Sequence, residues 1–140
     1  MNALRCLCCC AIAGGLLAGA AAAAQWQPVP GAPDLEIDMA SLQQDRMRVT
    51  AWLRWWGRPH VVPELAAWSV RGTHVQRTAL RTEFDCTRRT LRTLAANAYD
   101  GTGAAVYMSS VPGPAFAPQD PDLAWAYDAV CEAARSGGRL

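Results

Sequence analysis

The stretch Arg46–Trp56, RMRVTAWLRWW, decides the fold class. Met47, Val49, Ala51, Leu53 and Trp55 fall on one side of a two-residue repeat, and Arg46, Arg48, Thr50, Trp52 and Arg54 on the other. Side chains of a strand alternate between its faces, so this run predicts a strand with one apolar face and one arginine-rich face. Before it, Leu35–Met39 (LEIDM) alternates apolar and acidic residues and predicts a short, half-buried strand. Ser41–Asp45 reads as a polar connector, and residues 25–34, rich in Pro and Gly, as an irregular lead-in. After it, residues 57–66 (GRPHVVPELA) contain two prolines and read as a loop or covered edge.

The two-residue repeat resumes in the proline-free run Ala67–Tyr99. Trp68, Val70, Leu80, Phe84 and Cys86 are expected to look inward, and Arg71, Arg77, Arg81, Glu83 and Asp85 outward. His74 and Gln76 break the register, so a turn or bulge within 72–76 divides the run. The pattern restarts through Arg88–Leu94 as a strand, with a helix left open on propensity. Asp100-Gly101 is a hairpin signal, residues 104–110 a further strand, and residues 111–121, with four prolines, a crossing loop. The last element is helical: Asp120 is a good N-cap, Pro121 suits the first position and Asp122 favours the dipole. Leu123, Tyr127, Val130 and Ala134 form its apolar stripe, with Cys131 beside it and Gly137-Gly138 at its end. The expected class is α+β, a twisted antiparallel sheet covered on one face by helix 121–135.

A length of 140 residues fits a single domain, and 51% hydrophobic content excludes a disordered chain. Residues 1–24 read as a signal peptide. Met1–Arg5 is a short basic start, Cys6–Ala18 an apolar stretch, and Ala22-Ala23-Ala24 a small-residue cleavage site that would make Gln25 the new N-terminus. An uncleaved N-terminal anchor is the alternative. The expectation is an exported protein of the periplasm or outer cell surface, with no membrane segment after cleavage. Four of the six cysteines leave with the leader, and Cys86 and Cys131 remain. An even pair in an exported chain points to a disulfide, whose 45-residue loop closure contributes about 4 kcal/mol in the chain-entropy model. A reactive or metal-binding pair is the competing reading; it lacks CxxC spacing and has only His60 and His74 to assist.

Residues 25–140 contain no GxSxG, HExxH or CxxC pattern, and Gly101-x-Gly103 is too short for a dinucleotide fingerprint. Glu83 and Asp85 read as solvated carboxylates. No catalytic residue, cofactor or metal is assigned, and no enzyme is expected. All thirteen basic residues are arginine, and a net charge of +1 argues against a nucleic-acid partner. The arginines are concentrated: ten lie between positions 46 and 92, against Glu64, Glu83 and Asp85 alone, with acidic flanks on both sides. If the central strands are neighbours, Arg46, Arg48, Arg54, Arg71, Arg77 and Arg81 share a face with Trp52, a surface suited to acidic protein segments or polyanions. The competing reading is a solvated face with cross-strand pairs to Glu36, Asp38, Glu83 and Asp85. The candidate contact residues are Arg71, Arg77, Arg81, Arg88, Arg89, Arg92 and Trp52.

The span Trp26–Cys131 resembles the surface-adhesin protein E family of exported Gram-negative proteins. The features are Trp26 soon after the leader, the acidic strand Leu35–Asp38, the Arg-Val-x-x-Trp run at Arg48–Trp52, and Glu83-Phe84-Asp85-Cys86 followed by Arg88, Arg89 and Arg92. Tyr99 and Cys131 complete the series. The resemblance implies a sheet of about six strands with a C-terminal helix held by the disulfide. It also implies a non-enzymatic envelope binding protein whose partners are host extracellular-matrix or serum proteins such as vitronectin, laminin or plasminogen. The alternative is a periplasmic structural accessory protein binding another bacterial envelope protein; a homodimer is left open. The chain departs from the family in lacking a Trp before the final helix, where Phe116 stands nearest, and in the Pro-containing stretch 57–66.

Overall fold

The computed structural model describes residues 23–57 and 74–137. Most of the expected leader, residues 58–66 of the expected loop, and Trp68, Val70, Arg71 and Gly138 lie outside the described residues. Six strands form one sheet: β1 Trp26–Val29, β2 Ala32–Asp45, β3 Arg48–Trp56, β4 Arg77–Asp85, β5 Thr90–Tyr99 and β6 Ala105–Ser109. Their spatial order is their sequence order, and every neighbouring pair is antiparallel. One helix, Pro121–Arg135, follows. The α+β class, the six-stranded antiparallel sheet and the C-terminal helix agree with the expectation.

In β3, Val49, Ala51, Leu53 and Trp55 are buried and alternate with Arg48, Thr50, Trp52, Arg54 and Trp56. The strand begins two residues later than its sequence pattern. Arg46 adopts φ +56° in the β2–β3 turn, and Met47, expected inward, is 41% exposed. Opposite β3, the even residues Thr78, Leu80, Thr82 and Phe84 of β4 are buried, as the alternation requires.

Two readings of the N-terminal part are corrected. Ser41–Asp45 is not a connector but the end of a 14-residue β2, half-buried at Ser41 and Leu42 and exposed from Gln43. A wide bulge hides its continuity, because five residue steps of β2 (Asp38 to Gln43) face two of β3 (Trp52 to Thr50). The bulge deprives the Trp52 N–H of a ladder partner, and the Ser41 hydroxyl accepts it at 2.9 Å while donating to the Asp38 carbonyl at 2.7 Å. Residues 25–34 are likewise not irregular. Trp26–Val29 pairs with β2 as an edge strand, where a proline such as Pro28 can be accommodated. The intervening turn is made by Gly31 at φ +86°, and the Trp125 ring of the helix lies 2.8 Å from where a Cβ would stand.

Residues 90–99 are a strand, which settles the helix alternative left open after Cys86. In the turn beyond β5, the Asp100 carboxylate accepts from Thr102 N, Thr102 Oγ1 and Ala104 N at 2.8, 2.7 and 3.1 Å. These bonds, the Thr102 hydroxyl first, hold its carboxyl below the ordinary aspartate range. The crossing loop returns along β5: Phe116 and Leu91 exchange N–H···O bonds of 2.9 Å each, and Gly113 N donates to Thr93 O.

The helix starts as expected. The Asp120 side chain accepts from the backbone N–H groups of Asp122 and Leu123, with Pro121 at the first position. It buries Leu123, Ala126, Tyr127, Val130, Cys131 and Ala133 against the inner face of the sheet, over Leu35, Ile37, Leu53, Leu80 and Phe84. Two bonds fix its placement. The Tyr127 hydroxyl donates to Asp85 O at 2.9 Å, with its ring 6.4 Å from that of Phe84. Cys131 is disulfide-bonded to Cys86 just beyond β4, with Cα atoms 5.6 Å apart.

Thiol titration of the denatured, non-reduced protein is therefore expected to find no free thiol from Cys86 or Cys131. Replacing both by Ala is expected to cost about 3–4 kcal/mol in chemical denaturation, the loop-closure value for this separation. Tyr127→Phe, which removes a single hydroxyl bond, is expected to cost about 1 kcal/mol.

Candidate functional site

The strand alternation that builds the core on one face places a different set of side chains on the other. The unbroken β3–β4 register sets Trp52 opposite Arg81 and Trp56 opposite Arg77, and β5 sets Tyr99 opposite Arg77. Trp26 of β1 lies two strands away across β2, at the level of Asp38. On this outer face the Arg54 guanidinium carbon lies 4.2 Å from the ring centroid of Trp26 and 5.4 Å from that of Trp56. The Arg77 guanidinium lies 6.0 Å from Trp56 and 4.3 Å from Tyr99. The result is a ladder, Trp26–Arg54–Trp56–Arg77–Tyr99, in which cations and aromatic rings alternate across the sheet within cation–π range.

Glu36 organises the middle of the ladder. Its Oε2 accepts from Arg54 Nε at 2.6 Å and from Trp56 Nε1 at 3.0 Å. The Arg54 hydrogen bond is the main cause of a carboxyl held below the ordinary glutamate range, assisted by Trp56 and opposed by partial burial. Arg77 and Arg81 form no ion pair among the described residues, and Arg81 is exposed beside half-buried Trp52. A guanidinium stacked on rings uses its faces and leaves its in-plane N–H groups free. That arrangement suits bidentate binding of carboxylates.

The opposite end of the same face is different. Arg92 Nε pairs with Glu83 at 2.9 Å, and Arg48 Nε approaches Asp85 at 3.9 Å. Asp85 also accepts from the backbone N–H groups of Arg88 and Thr87 at 2.9 and 3.0 Å. The Arg88 bond is the largest reason its carboxyl lies below the ordinary aspartate range. A depression of about 180 Å³ is lined by Arg48, Glu83, Asp85, Arg88 and Arg92 among others. Another, of about 500 Å³, is lined by Asp45, Arg46, Arg48, Asp85 and Arg88 among others. In both, arginines and carboxylates alternate, so the charges largely cancel.

The seven candidate contact residues are therefore distributed unevenly. Trp52, Arg77 and Arg81 are brought together at the uncompensated end of the outer face. Arg92 shares that face but is engaged by Glu83, and Arg88 projects from the β4–β5 turn. Arg89, at φ +54° in that turn, goes to the other side of the sheet: it pairs with Asp128 of the helix at 3.2 Å and lies 5.2 Å from the Tyr127 ring. Arg71 lies outside the described residues. The cross-strand pairs Arg54–Glu36, Arg92–Glu83 and Arg48–Asp85 of the solvated-face reading are present, whereas Asp38 bonds only to backbone. Among the contacts of the ladder, sequence reasoning did not place Trp26 and Tyr99 on this face, whereas Glu36 was expected as a cross-strand partner and Trp56, with Trp52 and Trp55, as a secondary aromatic candidate. The parity of Trp56 with Trp52 and Arg54 was a usable signal; nothing local announced Trp26, which joins through pairing across β2.

Fold and surface together define a six-stranded antiparallel meander with one face covered by a disulfide-pinned helix and the other bearing an arginine–aromatic ladder. No family model matches the chain, and no curated protein matches it. Among solved structures the chain is similar to crystal form II of Haemophilus influenzae protein E, with TM-score 0.50 and 17% sequence identity over 76% of this chain and 87% of that one. A second structure of Haemophilus influenzae protein E gives TM-score 0.48 and 15% identity over 82% and 87%. The likeness to crystal form II is one of fold, at a distance.

Because Glu36 is held in its charged form by the fold, it contributes stability above its unfolded pKa that is lost as pH falls through its lower folded value. Glu36→Gln is expected to lower Tm at pH 7. The gap to the wild type should narrow as pH falls below the ordinary glutamate range of about 4.3. Thermal melts of both proteins between pH 3 and 7 check this.

Proposed function

We propose that this chain is an exported, non-enzymatic binding protein of the cell envelope, whose outer sheet face docks acidic segments of a protein partner. The observation that carries the reading is the ladder end of the sheet. Arg54, Arg77 and Arg81 lie there among Trp26, Trp52, Trp56 and Tyr99, with Glu36 the single carboxylate paired to any of the three arginines among the described residues. Aromatic residues and arginine are the types that dominate protein interfaces, and both are present on one exposed face. The leader-like residues 1–24 and the Cys86–Cys131 disulfide support an oxidising, exported location. Host extracellular partners such as vitronectin, laminin or plasminogen are what the sequence resemblance implies; the likeness to Haemophilus influenzae protein E supports that resemblance at the level of fold. An envelope protein of the same cell is the other class of partner.

The test measures binding of the purified protein to an immobilised polyglutamate peptide and to those three host proteins. Arg77→Ala combined with Arg81→Ala is expected to weaken binding about tenfold or more, since hydrogen bonds to charged groups contribute about 1.5–3 kcal/mol each. Stability is expected to change by less than about 1 kcal/mol per site. Binding should also fall as salt rises above physiological strength, where the screening length is about 8 Å. Binding indifferent to both changes rejects the cationic-face reading. Protease treatment of intact cells separates the two partner classes: removal of the protein fits an extracellular partner, and full protection fits one inside the envelope.

A further inference from the structure

Asp38 is 8% exposed, and its Oδ1 accepts two backbone N–H groups, from Gln25 at 2.7 Å and from Ala40 at 3.1 Å. Among the described residues no arginine or histidine forms an ion pair with it, and Arg54, diagonal to it across the β2–β3 pair, is committed to Glu36. A buried carboxylate held by neutral N–H groups alone lacks a counter-charge. Gln25 is fixed from both sides, because its carbonyl also accepts from Met39 N at 2.8 Å. The residues before it, Ala23 and Ala24, are exposed and belong to no strand. The bond Ala24–Gln25 is the one that the small-residue pattern Ala22-Ala23-Ala24 marks for cleavage.

We propose that the maturation cut itself supplies the missing charge: cleavage after Ala24 turns the Gln25 nitrogen into an α-ammonium that pairs with Asp38 and fastens β1 to the edge of the sheet. Water is the co-reactant. The Ala24–Gln25 C–N bond breaks, oxygen from water joins the Ala24 carbonyl carbon, which leaves with the leader as a carboxylate, and the Gln25 nitrogen is protonated to –NH₃⁺. An amide nitrogen offers one N–H; the ammonium offers three and a full charge at the same position. Because Trp26 is the next residue, the pair also sets the end of the Trp26–Arg54–Trp56 stack. This inference rests on the export reading and is independent of what the outer face binds.

The full chain is expressed with its own leader in an exporting bacterial host, and the N-terminus of the purified product is read by mass spectrometry. A start at Gln25 is expected; a start elsewhere overturns the proposal without touching the binding assay. Thermal melts then compare the chain starting at Gln25 with one retaining Ala23-Ala24, each in the wild-type and Asp38→Asn backgrounds. In the wild type the extension is expected to lower Tm by about 3 °C or more. In Asp38→Asn the difference should vanish. A third form keeps Asp38 and cyclises Gln25 to its uncharged lactam, which retains an N–H, so it reads the charge even if Asp38→Asn fails to fold. It should lose about as much as the extended chain. Equal Tm values for the Gln25, extended and lactam forms, or an extension effect unchanged in Asp38→Asn, overturn the proposal.

Discussion

Nine consecutive cross-strand pairs join β3 to β4, from Arg48 opposite Asp85 to Trp56 opposite Arg77, without a slip. A one-residue shift anywhere in that ladder would turn Leu53, Trp55, Leu80 and Phe84 out to solvent and bring arginines into the core. The apolar parity of these two strands therefore excludes every register displaced by an odd number of residues. Everything else is placed relative to this pair. β2 and β5 add on either side with bulges that absorb local mismatches, and the helix packs where the inner faces of the central strands are most apolar. The outer face inherits its composition from the same constraint: once the core has taken one parity, Trp52, Arg54 and Trp56 have nowhere else to go.

The helix is held to this framework at the end of β4. Phe84, Asp85 and Cys86 are consecutive, and each makes a different kind of contact with the helix: ring to ring with Tyr127, carbonyl to hydroxyl with Tyr127, and sulfur to sulfur with Cys131. Arg89 extends the attachment from the turn by its pair with Asp128. Two residues at the end of β4 and the cysteine just beyond it thus locate a 15-residue helix over the inner face, and the turn that follows supplies a polar rim. The arginines clustered in sequence around Cys86 are divided by this junction between the two sides of the sheet, which is why linear proximity overstated how many share a surface.

Much of the fold was legible because its central strands obey a two-residue period and its helix carries an N-cap, a first-position proline and an apolar stripe. What was missed has a common physical origin. β1 is a four-residue edge strand with one buried side chain, Val29, and Leu42 is the one apolar residue in the Ser41–Asp45 end of β2, so neither segment is long or regular enough to show an alternating pattern. The bulge between Asp38 and Gln43 further breaks the alternation at the place where a reader would extend it. In the candidate site, the parity of β3 and β4 exposed Trp52, Arg77 and Arg81. The stacking of Arg54 between Trp26 and Trp56 depends on spacing across three strands and leaves no linear trace.

The meander has a kinetic consequence. Each strand pairs with the one that precedes it in the chain, so the sheet can grow strand by strand in chain order, its longest loop closure being that of β3 with β4, whose partners stand 21 to 37 residues apart. The long-range link comes at the end. Cys131 follows Cys86 by 45 residues and meets it where β4 ends. No other cysteine lies between residues 25 and 140. Oxidation in that segment thus has a single intramolecular outcome, a covalent link between the end of β4 and the helix.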